Sequence, residues 1–122
     1  MTDELTVFRP DSVSYLRIPA PDPAKAAAFY GAVFDWEVDP EEGRFTDGSG
    51  HVIGHFVSDI GVTGEDGVRP YVYVKDVEQT LAKLRSLGGS SVTPPYPEGN
   101  LKVATFRDPA GNVVGIWQQA AP

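Results

Sequence analysis

Two stretches of the chain repeat each other. Residues 45–56 read Phe-Thr-Asp-Gly-Ser-Gly-His-Val-Ile-Gly-His-Phe, and residues 106–117 read Phe-Arg-Asp-Pro-Ala-Gly-Asn-Val-Val-Gly-Ile-Trp. Phe45, Asp47, Gly50, Val52 and Gly54 recur as Phe106, Asp108, Gly111, Val113 and Gly115, a shift of 61 residues. Upstream, Ile18, Asp22, Ala27 and Val33 lie 54 residues before Val72, Asp76, Leu81 and Leu87. Such a chain folds as two copies of one supersecondary unit. The second copy is longer by seven residues, which fall in Pro94-Pro95-Tyr96-Pro97-Glu98-Gly99, a stretch of loop composition.

Both copies carry the same punctuation. Val13 to Ile18 alternates and is rich in strand formers. Pro19, Pro21 and Pro23 then end the ladder, because proline cannot donate to it. Asp22 suits an N-cap and Pro23 the first helical position, so a helix runs from Ala24 to Phe34 with Ala26, Phe29, Tyr30 and Val33 on one face. Trp36 to Asp39, Arg44 to Thr46 and His51 to Ser58 read as strands, the last after an Asp47-Gly48-Ser49-Gly50 turn. In the second copy, Arg69 to Val74 is a strand and Asp76 caps a helix to about Leu87, ended by Gly88-Gly89. Ser90 to Thr93, Leu101 to Arg107 and Val113 to Gln118 are the remaining strands. The order is βαβββ twice, as a module over 12–58, a Gly-rich linker over 59–68 and a module over 69–118, all in one domain spanning 1–122. The last few residues are expected to fray.

Composition narrows the function classes. With 41% apolar and 22% charged residues in 122, the chain is a globular protein, neither disordered nor a coiled coil. No apolar run approaches the roughly 18–20 residues of a membrane span. Met1-Thr2-Asp3-Glu4 is acidic with no hydrophobic segment behind it, so no signal peptide is expected. The absence of cysteine excludes disulfides, thiolate metal sites and cysteine nucleophiles, and fits a cytoplasmic location. A net charge of −7 and a pI near 4.6 argue against nucleic acid as a partner.

Four segments carry a family resemblance: Tyr15 to Asp22 leading into Ala28 to Trp36; Pro70 to Val77; Leu84 to Gly89; and Phe106 to Asn112. In this order, with the repeat, the chain resembles the vicinal oxygen chelate superfamily, the glyoxalase/bleomycin-resistance/dioxygenase proteins. The resemblance implies an α+β fold of paired βαβββ modules, forming a curled, cup-like mixed sheet with helices outside, and a homodimer. Asp35 stands where that family usually has glycine before Trp36; aspartate tolerates left-handed backbone, so the turn should survive.

The resemblance also implies where a metal would sit. Each module of metal-using members offers one first-strand ligand, seven residues before the capping Asp, and one last-strand ligand, three residues after the Asn of the Asp-Pro-x-Gly turn. Here those positions are Tyr15, Gly54, Arg69 and Gly115. Two lack a side chain, one is a permanent cation and a lone phenol is a poor ligand, so no bound metal and no other cofactor is expected. Arg17, too, stands where relatives often carry Glu.

Alternation places Tyr15 and Arg17 on one strand face, and Arg69, Tyr71 and Tyr73 on one face of the second module's first strand. On the last strands, Gly54 and Phe56 share a face with Val52, and Gly115 and Trp117 with Val113. The expected lining is therefore aromatic, with two Arg and two Gly. His51 and His55 are the only imidazoles. The first is expected in the turn and the second against a helix, roughly 13 Å apart on a strand. Gly48-Ser49-Gly50 precedes a strand rather than a helix, so it is discounted as a phosphate loop. No paired-carboxylate cleft is expected.

Three functions stay open. The first is a metal-free small-molecule binding protein resembling the bleomycin-resistance-like branch, with contacts from Tyr15, Arg17, Gly54, Phe56, Arg69, Tyr71, Tyr73, Gly115 and Trp117. Its ligand would be planar or aromatic and able to carry negative charge. The second is a glyoxalase-like lyase or dioxygenase-type metalloenzyme, which needs a Lewis acid. The third is a non-catalytic dimeric interaction module whose rings and arginines fill the cup or an interface, each Arg paired to an acid such as Glu98 or Asp108. No partner among nucleic acids or membranes is expected.

Overall fold

The computed structural model describes residues 7–62 and 64–119. Residues 120–122, expected to fray, lie outside them. The chain divides into two compact units, at residues 62 and 63, within the segment expected to link the modules.

In the first unit, β1 (Tyr15–Pro19), α1 (Pro23–Phe34), β2 (Glu37–Asp39), β3 (Arg44–Thr46) and β4 (Ile53–Val57) follow in chain order. The sheet order is β1-β4-β3-β2, with β1 and β4 parallel and the other pairs antiparallel. The Asp22 carboxylate accepts from the Lys25 N–H at 3.2 Å and opens α1. Asp35 closes it at φ 60°, its N–H donating to the Gly31 carbonyl at 3.0 Å. Aspartate thus takes the left-handed cap usually given to glycine. α1 lays Tyr30, fully buried, against Trp36 and Phe56 at ring-centroid distances of 5.0 and 5.4 Å. Phe45 stacks on Trp36 at 4.9 Å and completes this aromatic core.

The second unit repeats the plan with β5 (Tyr71–Tyr73), α2 (Val77–Arg85), β6 (Ser90–Glu98), β7 (Leu101–Arg107) and β8 (Val113–Gln119), in the order β5-β8-β7-β6. The Asp76 carboxylate accepts from Gln79 N–H at 3.0 Å, and the Val77 N–H donates to Gln118 Oε1 at 2.7 Å, tying the helix start to the sheet. α2 packs Val77, Leu81 and Leu84 against Ala104, Phe106, Val114 and Ile116, all buried. It ends at Arg85 rather than Leu87, because the Gly89 N–H donates back to the Leu84 carbonyl at 2.9 Å while Gly88 turns at φ 101°. Among the described residues no helix is long and apolar enough to cross a membrane.

Two sequence expectations need correcting. The seven extra residues are no loop: β6 continues through Pro94, Pro95 and Pro97 to Glu98, with register shifts between Ser91 and Thr93 and between Thr93 and Tyr96. β6 is an edge strand, where a proline costs no ladder bond on its outer side. The second correction concerns register. The shift of 61 holds up to the turn but not beyond it: Arg107 pairs with Val113, whereas Thr46 pairs with Ile53, so the last strands correspond at a shift of 60.

The turns show why. The Asp108 N–H donates to the Asn112 carbonyl, whereas the Asp47 N–H donates to the Val52 carbonyl, one residue further on, both at 2.9 Å. Asp108 Oδ1 accepts from Ala110, Gly111 and Asn112 N–H at 2.9–3.0 Å. Asp47 Oδ1 accepts from Ser49, Gly50 and Val52 N–H at 3.1–3.3 Å and leaves the His51 N–H to Ser49 Oγ. His51 is the additional residue. A shift of one turns every side chain of β4 to the opposite face from that expected.

Candidate ligand-binding site

The face of the second sheet away from α2 is aromatic. Lys102, bridged to Glu78 of α2 at 3.3 Å, and Gln118 mark the helix side, so Val103, Gly115 and Trp117 point the other way. Tyr71 pairs with Gly115 and Tyr73 with Trp117 in parallel register. A Cβ on Gly115 would run into the Tyr71 ring, so the missing side chain is what lets that ring lie flat on β8. Tyr73 meets Trp117 edge to face at 4.9 Å. From β6, Tyr96 pairs with Val103, which pairs with Trp117. Tyr71, Tyr96, Glu98, Leu101, Val103 and Trp117 line a cavity of roughly 390 Å³, within the usual size of a small-molecule site. Burial pushes the Tyr96 phenol above its ordinary value, and the Glu98 carboxylate adds to the shift. Tyr96 is therefore a neutral hydroxyl that can donate or accept.

Tyr71, Tyr73, Gly115 and Trp117 thus come together as the alternation predicts. Arg69 does not join them in the sheet. It precedes β5, and its Nη2 donates to the Glu65 carbonyl at 2.6 Å, while its Nε is buried without a hydrogen-bond partner. Among the described residues the arginine ion pairs go to Asp39, Glu42 and Glu65; Arg107 meets Glu65 at 3.5 Å and the Gly111 carbonyl at 3.1 Å. Tyr96 was missed because three prolines made its segment look like a loop. The signal was present in the aromatic residue at an alternating position facing the Val103 side of β7.

In the first unit the face expected for Gly54 and Phe56 is corrected. Phe56, 3% exposed, packs on Tyr30 and on Phe45, and so belongs to the α1 side. Gly54 lies on that side as well, where a Cβ would strike the Leu16 carbonyl and the Phe45 ring. His55 consequently faces away from the helix instead of packing against it. Tyr15 Oη and His55 Nδ1 share a hydrogen bond of 2.6 Å. Across the strands, Arg17, His55, Arg44 and Asp39 form one row. Arg44 bridges to Asp39 at 3.1 Å and to Glu42 at 3.5 Å. The Arg44 guanidinium holds the Asp39 carboxyl below its ordinary value. Tyr15, Glu37, Asp39, Arg44, Ile53 and His55 are among the residues lining an open cavity of roughly 370 Å³. Arg17 is exposed and outside that lining.

With both faces described, the chain can be set beside known proteins. The profile of the glyoxalase-like domain family matches residues 15–116. The chain belongs to this family. It is thereby a member of the vicinal oxygen chelate superfamily. No curated protein sequence matches it. A glyoxalase/bleomycin resistance protein/dioxygenase family enzyme from Burkholderia phytofirmans PsJN shares its fold, with a TM-score of 0.71, 19% identity, and coverage of 87% of this chain and 97% of that one. TnmS3, an antibiotic binding protein from Streptomyces sp. CB03234, does so with a TM-score of 0.68, 20% identity, and coverage of 90% and 97%. TioX from Micromonospora sp. ML1 follows with a TM-score of 0.64, 16% identity, and coverage of 88% and 98%.

The metal that this glyoxalase-like family implies can be tested against the donors. With the corrected register, the last-strand position of the first unit is His55, not Gly54. That unit offers one imidazole beside a phenol already bonded to it. The second unit offers the Arg69 guanidinium and the bare Gly115. Among the described residues no three His, Cys, Asp or Glu side chains converge. One imidazole with a phenol does not make a divalent-ion site, and a guanidinium repels one.

Proposed function

We propose that this glyoxalase-like protein binds a planar aromatic small molecule without a metal, on the ring-lined face of β5 to β8. The observation that carries the reading is the cavity between Tyr71, Tyr96 and Trp117, with the Tyr71 ring seated over Gly115, where a side chain would displace it. Tyr71 and Tyr73 remain 44% and 52% exposed, so these rings are presented rather than packed away. Ring stacking on such walls contributes about 0.5–1.5 kcal/mol per pair beyond the area buried. The antibiotic binding protein TnmS3 shares the fold, which fits a binding role. The chain works as a homodimer in a cytoplasmic setting, in keeping with the superfamily resemblance and the lack of cysteine.

Calorimetric titration with planar tricyclic compounds tests the reading. Binding by the wild type, weakened at least about tenfold in Trp117→Ala and in Tyr96→Ala, is the expected result. Retained affinity in both variants, with folding verified by circular dichroism, sinks it. Elemental mass spectrometry on untagged protein is expected to find under about 0.1 metal per chain, unchanged by incubation with divalent ions; near one metal per chain overturns the donor argument.

A second reading has one observation behind it. The 2.6 Å phenol–imidazole contact of Tyr15 and His55 is the geometry of a proton-transfer pair, which favours metal-free acid–base chemistry on the first unit. Turnover abolished by both Tyr15→Phe and His55→Ala supports it; turnover untouched by either removes it.

A further inference from the structure

We infer that the cavity on β5 to β8 selects planar ligands bearing positive charge, rather than the negative charge expected from the sequence. This rests on the aromatic-ligand reading above and adds the sign of the ligand.

The charges around the cavity decide the sign. Among its lining residues Glu98 is the one Asp, Glu, Lys or Arg, and it forms no ion pair among the described residues. The remaining lining is ring faces and aliphatic carbon. An aromatic face carries the negative part of the ring quadrupole and attracts a cation. The nearby cations lie outside the lining, and of them Arg69 still acts on Tyr96. Arg69 gives its Nη2 to the Glu65 carbonyl. Arg107 is held by Glu65 and by the Gly111 carbonyl. Lys102 points to the α2 side, to Glu78. The field at the Tyr96 oxygen has the same sign. There the Glu98 carboxylate outweighs the Arg69 guanidinium, which opposes the upward push without cancelling it. The whole chain, at −7, adds a long-range attraction for cations.

The ligand class is therefore a fused aromatic system carrying an ammonium or amidinium group, its rings against Tyr71, Tyr96 and Trp117 and its charge toward Glu98. Glu98 is exposed near the tip of the β6–β7 hairpin. Its contribution is accordingly modest and sensitive to salt.

Three acridines of nearly equal shape test this near neutral pH: 9-aminoacridine, protonated; acridine, neutral; and acridine-9-carboxylate, anionic. Titration of the wild-type protein is expected to rank them in that order, with the cation about five- to tenfold tighter than the neutral ring. Glu98→Gln should bring cation and neutral ring to within about twofold and leave acridine itself unchanged. Because Glu98 is exposed, the variant keeps the fold. Raising salt on the wild type should likewise shrink the cation's advantage alone. Equal binding of all three, or tightest binding of the carboxylate, overturns the charge inference and leaves the aromatic site standing. No binding of any acridine overturns the site as well.

Discussion

At Gly115 the atoms nearest an added Cβ belong to the Tyr71 ring, a half-exposed side chain that can rotate; at Gly54 they include the Leu16 backbone carbonyl as well as the Phe45 ring. Gly115→Ala should therefore cost little stability, about 1 kcal/mol, but move Tyr71 and weaken aromatic ligands. Gly54→Ala should cost about 2–3 kcal/mol, because backbone cannot yield as a side chain does. Equal losses in urea unfolding would falsify this distinction. Asp108 is the other residue on which much depends. It is 4% exposed, with Oδ1 accepting three backbone N–H groups and Oδ2 accepting Asn112 Nδ2 at 2.9 Å. Replacing it with Ala strands those donors in the interior and should cost about 3 kcal/mol. An unchanged unfolding midpoint would show that water satisfies them. The aspartate was visible in the repeat, since it serves a backbone constraint that few residues can meet; the two glycines also matched there, although the strands place them on opposite faces. What each glycine accommodates was not visible, because that depends on which ring crosses it.

The elements formed largely where pattern and punctuation put them, and departed where neighbours intervened. α1 begins at Pro23 behind Asp22 and stops at Asp35, as capping chemistry requires. Asp35 at φ 60° should be improved by glycine: Asp35→Gly is expected to raise stability by about 0.5 kcal/mol, and a lowered melting temperature would show that the aspartate makes a compensating interaction. The β2–β3 hairpin carries a pH-dependent element. Asp39 accepts from Arg44 Nη2 at 3.1 Å and from the Glu41 and Glu42 N–H groups, so its folded pKa lies below the ordinary 3.8. The linked stability is present above that ordinary value and is lost as pH falls through the lowered one. Asp39→Asn should thus melt below wild type at neutral pH, and the two curves should converge in strong acid; a gap that persists there would point to packing. β6 was the least legible element. Its prolines signal a loop in isolation, and only the edge position, a property of the assembled sheet, makes them compatible with a strand. Tyr96 went unnoticed with it, and Glu98 was read only as a partner for arginine.

For the molecule as a whole, the family was readable because four dispersed segments and an internal repeat agree, a consistency that local accidents do not produce. Which residues share the aromatic face was readable only in the second unit. Tyr71, Tyr73, Gly115 and Trp117 followed from alternation, whereas Phe56 and His55 exchanged faces. The homodimer is proposed from the superfamily resemblance. Sedimentation equilibrium should accordingly return twice the 13.1 kDa chain mass, and a monomer at all concentrations rules the homodimer out. The additional residue at His51 has a wider consequence. Ile53 pairs with Thr46 as Val113 pairs with Arg107, so the turn absorbs the residue and β4 keeps the faces of β8. A duplicated turn can thus gain a residue without repacking either face of the strand that follows. Excising His51 should accordingly leave His55 displayed and Phe56 toward α1. The two halves of this chain would then be related by a single uniform offset again.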